Sequence, residues 1–546
     1  MTNNLISFRS VCVLAMVFAI GVVGQPLVLA APTGDTPAAE ANAHVRVIAA
    51  DVNAVQGRLD TSFKECVGAG RANEGLRADW QDQLREARRE CGFKYIRMHG
   101  LLTDDMGVYK EDAHGNPIYN WQYIDQLYDF LLSIDIKPFV ELSFMPKDLA
   151  SGDKTIFWWK GNVTPPKSYD KWGDLIRHLV AHFQERYGHD EVKTWYFEVW
   201  NEPDLHDGFW TGSQEDYFKL YAVTAKAIKD VSTDYRVGGP ATAMGQWDRS
   251  FIDFCHSNNV PLDFVSTHTY GVKVGYLDET GGKGTVIDAD PNSVIGRMVG
   301  ERKMIGHSPM PSLPLHFTEW SSSYTPSDFI HDTYQQAAFI LSKVKGAYRS
   351  VDSMSYWVFT DIFEEAGPRM TPFHGGFGLI NYEDLKKPAF YAFKFLNELG
   401  PTELVNTDPA SWVCKSPDGG VQALFWNYTP IVPPAGMNDQ QFYQLQIPAK
   451  QIGRVALSIT DLPAGSYSLE ICQTGYQVND VFTRYLEMGS PSQLTPTQVG
   501  ILREQSNGNP ESVETIQIET GKPFVRTFSL RQNDVYFVKI QPLGAK

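Results

Sequence analysis

Between residues 61 and 400, short apolar runs alternate with stretches whose apolar positions recur every three or four residues. Runs of the first kind have the length and aromatic or β-branched content of buried strands. Stretches of the second kind have the period of an amphipathic helix. The strand-like runs end at Gly68, His99, Leu142, Asn201, Gly239, His268, Glu319 and Phe359. Among the helical stretches, 76–91 places Trp80, Leu84 and Ala87 on one face, and 169–187 places Trp172, Leu175, Ile176, Leu179 and Phe183 together. Residues 217–231 and 334–348 read the same way. Eight such units in series predict an α/β fold, a (β/α)8 TIM barrel over 61–400. An open doubly wound sheet is the alternative. However, the first strand leads into the turn Gly68-Ala69-Gly70 and no glycine-rich phosphate loop, which weakens that option.

After Gly400 the period changes. Residues 421–426, 442–447, 455–459 and 535–540 read as strands between Pro/Gly turns, predicting a C-terminal β-sandwich over 401–546. Residues 45–60 precede the barrel, and their run 45–52 is placed to add a strand to that sandwich, tying both chain ends together. Further upstream, Arg9, an apolar run over 11–23 and Val28-Leu29-Ala30 before Ala31-Pro32 read as a signal peptide, 1–30. That run is shorter than a membrane span needs. Residues 31–44, rich in Ala, Pro and Thr, read as a disordered leader, so the expectation is export to a periplasm or the medium.

Composition narrows the partners. With 546 residues, 43% hydrophobic and 21% charged, the chain is globular and long enough for more than one domain. A net charge of -16 repels polyanions, so neither nucleic acid nor an anionic membrane surface is an expected partner. A neutral ligand is unaffected, and the 13 Trp and 25 Tyr can offer flat faces to sugar rings as well as fill a core. Of six cysteines, Cys12 leaves with the signal peptide. Cys66, Cys91, Cys255, Cys414 and Cys472 remain, an odd number, with a Cys414–Cys472 pair open. Cys66, at the end of the first strand, reads as packing. No CxxC or HExxH spacing occurs, so no metal and no cofactor are expected. Oligomeric state is left open.

Active sites of such barrels lie at the C-terminal ends of the strands. The fourth strand-like run ends in Asn201-Glu202-Pro203-Asp204 and the seventh in Glu319-Trp320. A single glutamate there is ordinarily a solvated loop carboxylate. Two, each following a buried strand among aromatics, suit glycosidic bond cleavage, in which one carboxyl protonates the leaving oxygen while the other attacks C1. Glu198 lies inside its strand and reads as a structural hydrogen-bonding group.

Trp200-Asn201-Glu202-Pro203-Asp204 resembles the acid/base motif of clan A glycoside hydrolases. The segment Phe317-Thr318-Glu319-Trp320-Ser321-Ser322-Ser323-Tyr324 resembles the nucleophile segment of glycoside hydrolase family 39. So do Glu74-Gly75-Leu76-Arg77-Ala78-Asp79-Trp80, Arg97-Met98-His99-Gly100, and Phe363-Glu364-Glu365 with Thr371-Pro372-Phe373-His374-Gly375-Gly376-Phe377-Gly378, each resembling its own stretch of that family. The family holds β-xylosidases and α-L-iduronidases, and the resemblance implies a barrel with a β-sandwich. One departure is Ser321, where xylosidases of the family often carry Asn.

The resemblance implies Glu202 as acid/base, Glu319 as nucleophile and Asn201 on the sugar 2-hydroxyl. Tyr270 would lie against Glu319, with His268 on sugar hydroxyls or the acid/base. Arg97 would hold Glu319 ionised, and His99, Trp357 and Glu365 would line the pocket. The activity implied is a retaining release of terminal β-D-xylose from xylo-oligosaccharides. An iduronidase-like or arabinose-specific glycosidase, or a non-catalytic carbohydrate-binding barrel, are the other readings. Iduronate needs cationic groups for its carboxylate, which the acidic chain disfavours.

Overall fold

The computed structural model describes residues 45–274 and 284–544. The signal peptide and leader expected over 1–44 lie outside the described residues. Eight parallel strands close into a barrel: β1 Cys66–Arg71, β2 Tyr95–His99, β3 Lys137–Leu142, β4 Tyr196–Val199, β5 Arg236–Thr242, β6 Phe264–Tyr270, β7 Leu315–Ser321 and β8 Ser353–Tyr356. Each pairs with its neighbour in sequence, and β8 closes on β1 through Tyr356 opposite Val67.

The helical period is realised as expected. The helix Tyr169–Tyr187 starts at Ser168, whose side chain accepts the Lys171 N–H, and buries Trp172, Leu175, Ile176, Leu179 and Phe183. It stops before Gly188. The second and third strands end at His99 and Leu142 as expected, the fourth and eighth end two or three residues early, and the others run two or three residues on. β5 continues past Gly239 to Thr242, and β6 and β7 run on to Tyr270 and Ser321. Polar side chains at these ends are buried against each other, so hydropathy alone marks the strand as finished too early.

Beyond the barrel, two sheets form the β-sandwich. One has three strands, with Val45–Asp51 parallel to Gln451–Thr460 and the latter antiparallel to Phe524–Arg531. The other has seven, running Val55–Arg58, Thr402–Leu404, Ser411–Lys415, Val421–Trp426, Val535–Pro542, Gly465–Thr474, Ser512–Ile518. Ile48, Val413, Phe425, Val455, Leu457 and Val538 share the core between them. On its other side the larger sheet meets the barrel, where Phe537 stacks on Phe395 of the helix Pro388–Asn397 at 5.3 Å between ring centroids.

One expectation is corrected and one open alternative is closed. Residues 442–447 form no strand. Phe442 ends a helical turn, Asp439–Phe442, capped by Asn438, and the Tyr443 hydroxyl donates to the Ile431 carbonyl at 2.6 Å. Cys414 and Cys472 do not pair, and all five described cysteines are buried free thiols. Their strands are separated by Val421–Trp426 and Val535–Pro542 in the sheet order. Three strand spacings come to roughly 14 Å, beyond disulfide reach. Among the described residues no helix is long and apolar enough to cross a membrane.

Candidate active site

The floor of the barrel mouth is organised by one cation. Arg97, on β2, is fully buried. Its Nε donates to Glu198 at 2.5 Å, Nη1 to Glu319 at 2.8 Å and Nη2 to the Asn201 side-chain oxygen at 2.8 Å. Glu141, on β3, also lies 2.8 Å from Nη2. Three carboxylates thus share one guanidinium away from water, an arrangement stable only if each oxygen finds a donor. Burial pushes the Glu198 carboxyl upward despite Arg97. Burial acts the same way on Glu141, but Arg97 and His99 outweigh it and hold Glu141 below the usual range.

Glu319 sits inside β7 with both oxygens engaged. Oε1 accepts from Arg97, and Oε2 accepts from the Tyr270 hydroxyl at 2.6 Å. Burial, and then the negative charge of Glu319, push the Tyr270 phenol well above its ordinary pKa, so it remains a donor. Both Glu319 oxygens thereby serve as hydrogen-bond acceptors.

Glu202 follows β4 at φ 43°, and Trp200 before it at φ 72°, left-handed backbone that side chains seldom adopt. The surroundings fix both. The Glu202 N–H donates to the Ala241 carbonyl at 2.8 Å, and Trp200 Nε1 donates to the Phe209 carbonyl at 2.8 Å. A chain of hydrogen bonds then sets the Glu202 proton. The Thr318 hydroxyl donates to Glu198 at 2.8 Å, so it can only accept from His268 Nε2–H, 3.2 Å away. That leaves Nδ1 of His268 without a proton, 2.8 Å from Glu202 Oε1, and the contact requires Glu202 to donate. The electrostatics agree. Burial, with Glu319 and Asp204 adding to it, pushes Glu202 well above the carboxylate range, and burial with Arg97 holds His268 well below the usual imidazole value.

One oxygen of Glu202, one of Glu319 and a nitrogen of His268 lie within 4.8 Å of one another. Such a trio has the donor types of a cation site, but its atoms are already bonded to each other, to Arg97 and to Tyr270. The nearest oxygens of the two carboxyls are thus closer than the ~6.5–9.5 Å that leaves room for a water between the carboxyls of inverting glycosidases. Above the pair opens a cavity of about 770 Å³.

Asn201, Tyr270, His99, Trp357 and Glu365 line this cavity with Glu202 and Glu319. Because Arg97 only donates, the Asn201 oxygen must face it, which turns the amide nitrogen to the cavity. His99 is held by Glu141 at 2.8 Å and lies 3.6 Å from Glu365. Arg97 and His268, grouped with the substrate residues, are fully buried outside the cavity lining and meet the carboxylates instead, Arg97 on Glu319 and His268 on Glu202, the contacts also expected of them. Ser321 is also fully buried and outside the lining. Burial raises the Cys66 thiol to about 12, which leaves it inert.

Sequence reasoning missed Glu141, although its signal is the one that marked Glu198, an acid inside a buried strand. It also missed the clamp behind Glu365. The neighbouring Glu364 accepts from Arg71 at 2.8 Å and Arg77 at 3.1 Å, while its N–H donates to Glu74 at 2.9 Å. Burial pushes Glu74 up to about 8. The apolar rim formed by Ile156, Phe157, Leu205, Phe209, Ala243 and Met244 carried no periodic signal.

The family model for glycosyl hydrolases family 39 matches residues 46–522. A β-xylosidase of Geobacillus stearothermophilus is 45% identical over 68% of this chain and 74% of its own. An α-L-iduronidase of Canis lupus familiaris is 29% identical over 35% of this chain and 30% of its own. The crystal structure of a monomeric β-xylosidase from Caulobacter crescentus superposes with a TM-score of 0.88 at 40% identity, covering 92% of this chain and 100% of that one.

Proposed function

This chain belongs to glycosyl hydrolases family 39, and on that premise we propose that it releases terminal β-D-xylose from xylo-oligosaccharides by double displacement with retention. The observation that carries the mechanism is the asymmetry of the two carboxyls. They lie close together, yet Glu202 is placed to donate a proton while both oxygens of Glu319 accept hydrogen bonds.

In the first step Glu319 attacks C1 as Glu202 passes its proton to the glycosidic oxygen, breaking the C1–O bond and leaving a glycosyl ester on Glu319. In the second, Glu202 takes a proton from water as the water oxygen bonds to C1 and the ester breaks. The Asn201 amide nitrogen is positioned to hold the sugar 2-hydroxyl, and the Trp357 ring gives the sugar an apolar wall. Among the described residues, the lysines in the cavity wall, Lys154 and Lys273, are exposed. The buried floor offers acids and aromatics, which suits a neutral pentose better than a uronate.

Product analysis by NMR on an aryl β-D-xyloside tests sugar and stereochemistry together. β-Xylose is expected as the first product. α-Xylose first, or no turnover beside rapid turnover of an α-L-iduronide or arabinoside, defeats the proposal. Azide is expected to restore turnover of Glu202→Ala on an activated aryl xyloside and give a glycosyl azide of retained configuration.

A further inference from the structure

The floor of the cavity is polar, but the wall beside Glu202 is not. An acid that protonates the glycosidic oxygen must face that oxygen, so the departing group passes over the segments flanking Glu202. Among the described residues two lining segments flank Glu202, and both are tied to it or to Asp204 beside it. In the first, the Leu205 N–H donates to the Glu202 carbonyl at 3.1 Å and the Phe209 N–H to the Leu205 carbonyl at 3.0 Å. The second follows β5. Asp204 accepts the Ala243 N–H at 2.9 Å, and the N–H groups of Met244 and Gln246 are also directed at it. Below, the Thr242 hydroxyl donates to the buried Asp248.

The side chains that these segments give to the cavity include Leu205, Phe209, Ala243 and Met244. None of the four side chains can donate a hydrogen bond, and the Met244 thioether accepts one only weakly. Met244 is 61% exposed on a loop that the bonds to Asp204 hold in place. Asp207, the charged side chain from these segments in the lining, is exposed and lies 3.1 Å from His206 Nδ1. A sugar on the leaving side would surrender water from its hydroxyls to a wall that donates no hydrogen bond from these four, whereas an apolar ring would bury surface against them. The cavity, at about 770 Å³, lies in the ~300–1,000 Å³ range of pockets that enclose drug-sized ligands.

We propose that Leu205, Phe209, Ala243 and Met244 form an apolar aglycone subsite, and that the enzyme prefers xylosides of apolar or aromatic alcohols to xylosides of a second sugar. The proposal rests on the reading of Glu202 as the acid of a β-xylosidase. The same shelf would receive apolar alcohols in the second step. The alcohol oxygen then bonds to C1 in place of water, its proton passes to Glu202, and the ester to Glu319 breaks.

The test compares kcat/KM for 2-naphthyl β-D-xyloside, phenyl β-D-xyloside and xylobiose, using the full chain. The two aryl leaving groups differ little in acidity, so their ratio reads the subsite. A preference for naphthyl over phenyl of roughly tenfold is expected. Met244→Ser is expected to cut the naphthyl-to-xylobiose ratio by roughly fivefold, and Met244→Leu to restore most of it. Equal naphthyl and phenyl values, or a Met244→Ser loss that is the same for all three substrates, overturn the shelf. A chain that cleaves none of the three defeats the xylosidase reading itself. One that cleaves all three without the preference defeats only the subsite.

Discussion

Ile48, Val413, Phe425, Val455 and Leu457 fill the space between the two sandwich sheets, while Arg97, Glu141, Glu198, Glu202, Glu319, His99 and His268 fill the barrel mouth at comparable burial. The first set lowers the free energy of the fold through apolar area and close packing. The second set must offset the desolvation of several charges, and does so through hydrogen bonds that leave little room for substitution. Left-handed backbone at Trp200 and Glu202 adds strain of ~1–3 kcal/mol per residue to the mouth. The difference teaches that stability and chemistry are carried by separate parts of the chain. A substitution should therefore move one and spare the other according to where it lies.

Four substitutions sharpen or break that separation. The largest effect is expected from Glu319→Ala, a loss of roughly 10⁴-fold or more in kcat on aryl xylosides, the scale of removing a covalent nucleophile. Steady-state kinetics beside a thermal melt would show activity lost with the fold retained. Next is Phe425→Ala. The ring is fully buried and packs on Phe528 at 5.1 Å and Tyr536 at 5.4 Å. Its removal is expected to destabilise by ~3–5 kcal/mol in denaturant titration and leave kcat/KM unchanged. A large change in kcat/KM at a temperature where the variant is folded would break the separation.

Tyr270→Phe is expected to lower kcat by roughly 10–100-fold, since a hydrogen bond to a charged group is worth ~1.5–3 kcal/mol. Rates within twofold of the parent would show that Arg97 alone suffices to hold Glu319. The smallest effect concerns Glu202→Gln and has a definite sign. Burial raises the Glu202 pKa in the folded chain above its unfolded value. The stability that protonated Glu202 contributes is therefore full below the ordinary carboxylate pKa, and is lost as pH rises through the raised one. Gln stays neutral and can still donate to His268. Its melting temperature is expected to match the parent at about pH 4 and exceed it at about pH 9. A variant less stable at both would show that the mouth is not the strained region inferred above.

The barrel was legible because eight buried strands and their helices impose two clear periods on the sequence. The meeting of Glu202 and Glu319 at one barrel mouth was legible because two acids, each ending a buried strand among aromatics, are hard to explain as solvated loop carboxylates, and the buried place of Glu198 because it interrupts a strand. Which side of the wall a residue occupies was not legible. His99 and Arg97 lie on the same strand two residues apart, yet one lines the cavity and the other is sealed behind it. Placing them needs the barrel's curvature and the partners Glu141 and Glu198 contributed by other strands. Likewise, 442–447 has strand-like composition, but Phe442 ends the helical turn capped by Asn438 and the Tyr443 hydroxyl bonds the Ile431 carbonyl, so no strand forms. Loops have no period, so the apolar rim around Met244 emerged only with the fold.

The pairing of Val45–Asp51 with Gln451–Thr460 bears on the order in which the molecule can be made. Arg46 grips Asp408 at 2.6 Å through its Nε, across 362 residues of sequence. During synthesis the first sandwich strand must wait while the whole barrel leaves the ribosome, and the sheet it belongs to cannot close until the last strands follow. The barrel therefore has every chance to fold first, with the sandwich completed later as a slow, high-contact-order step. Throughout that interval Val45 and Val47, still exposed in the finished protein, lie on an unpaired edge open to pairing with other chains.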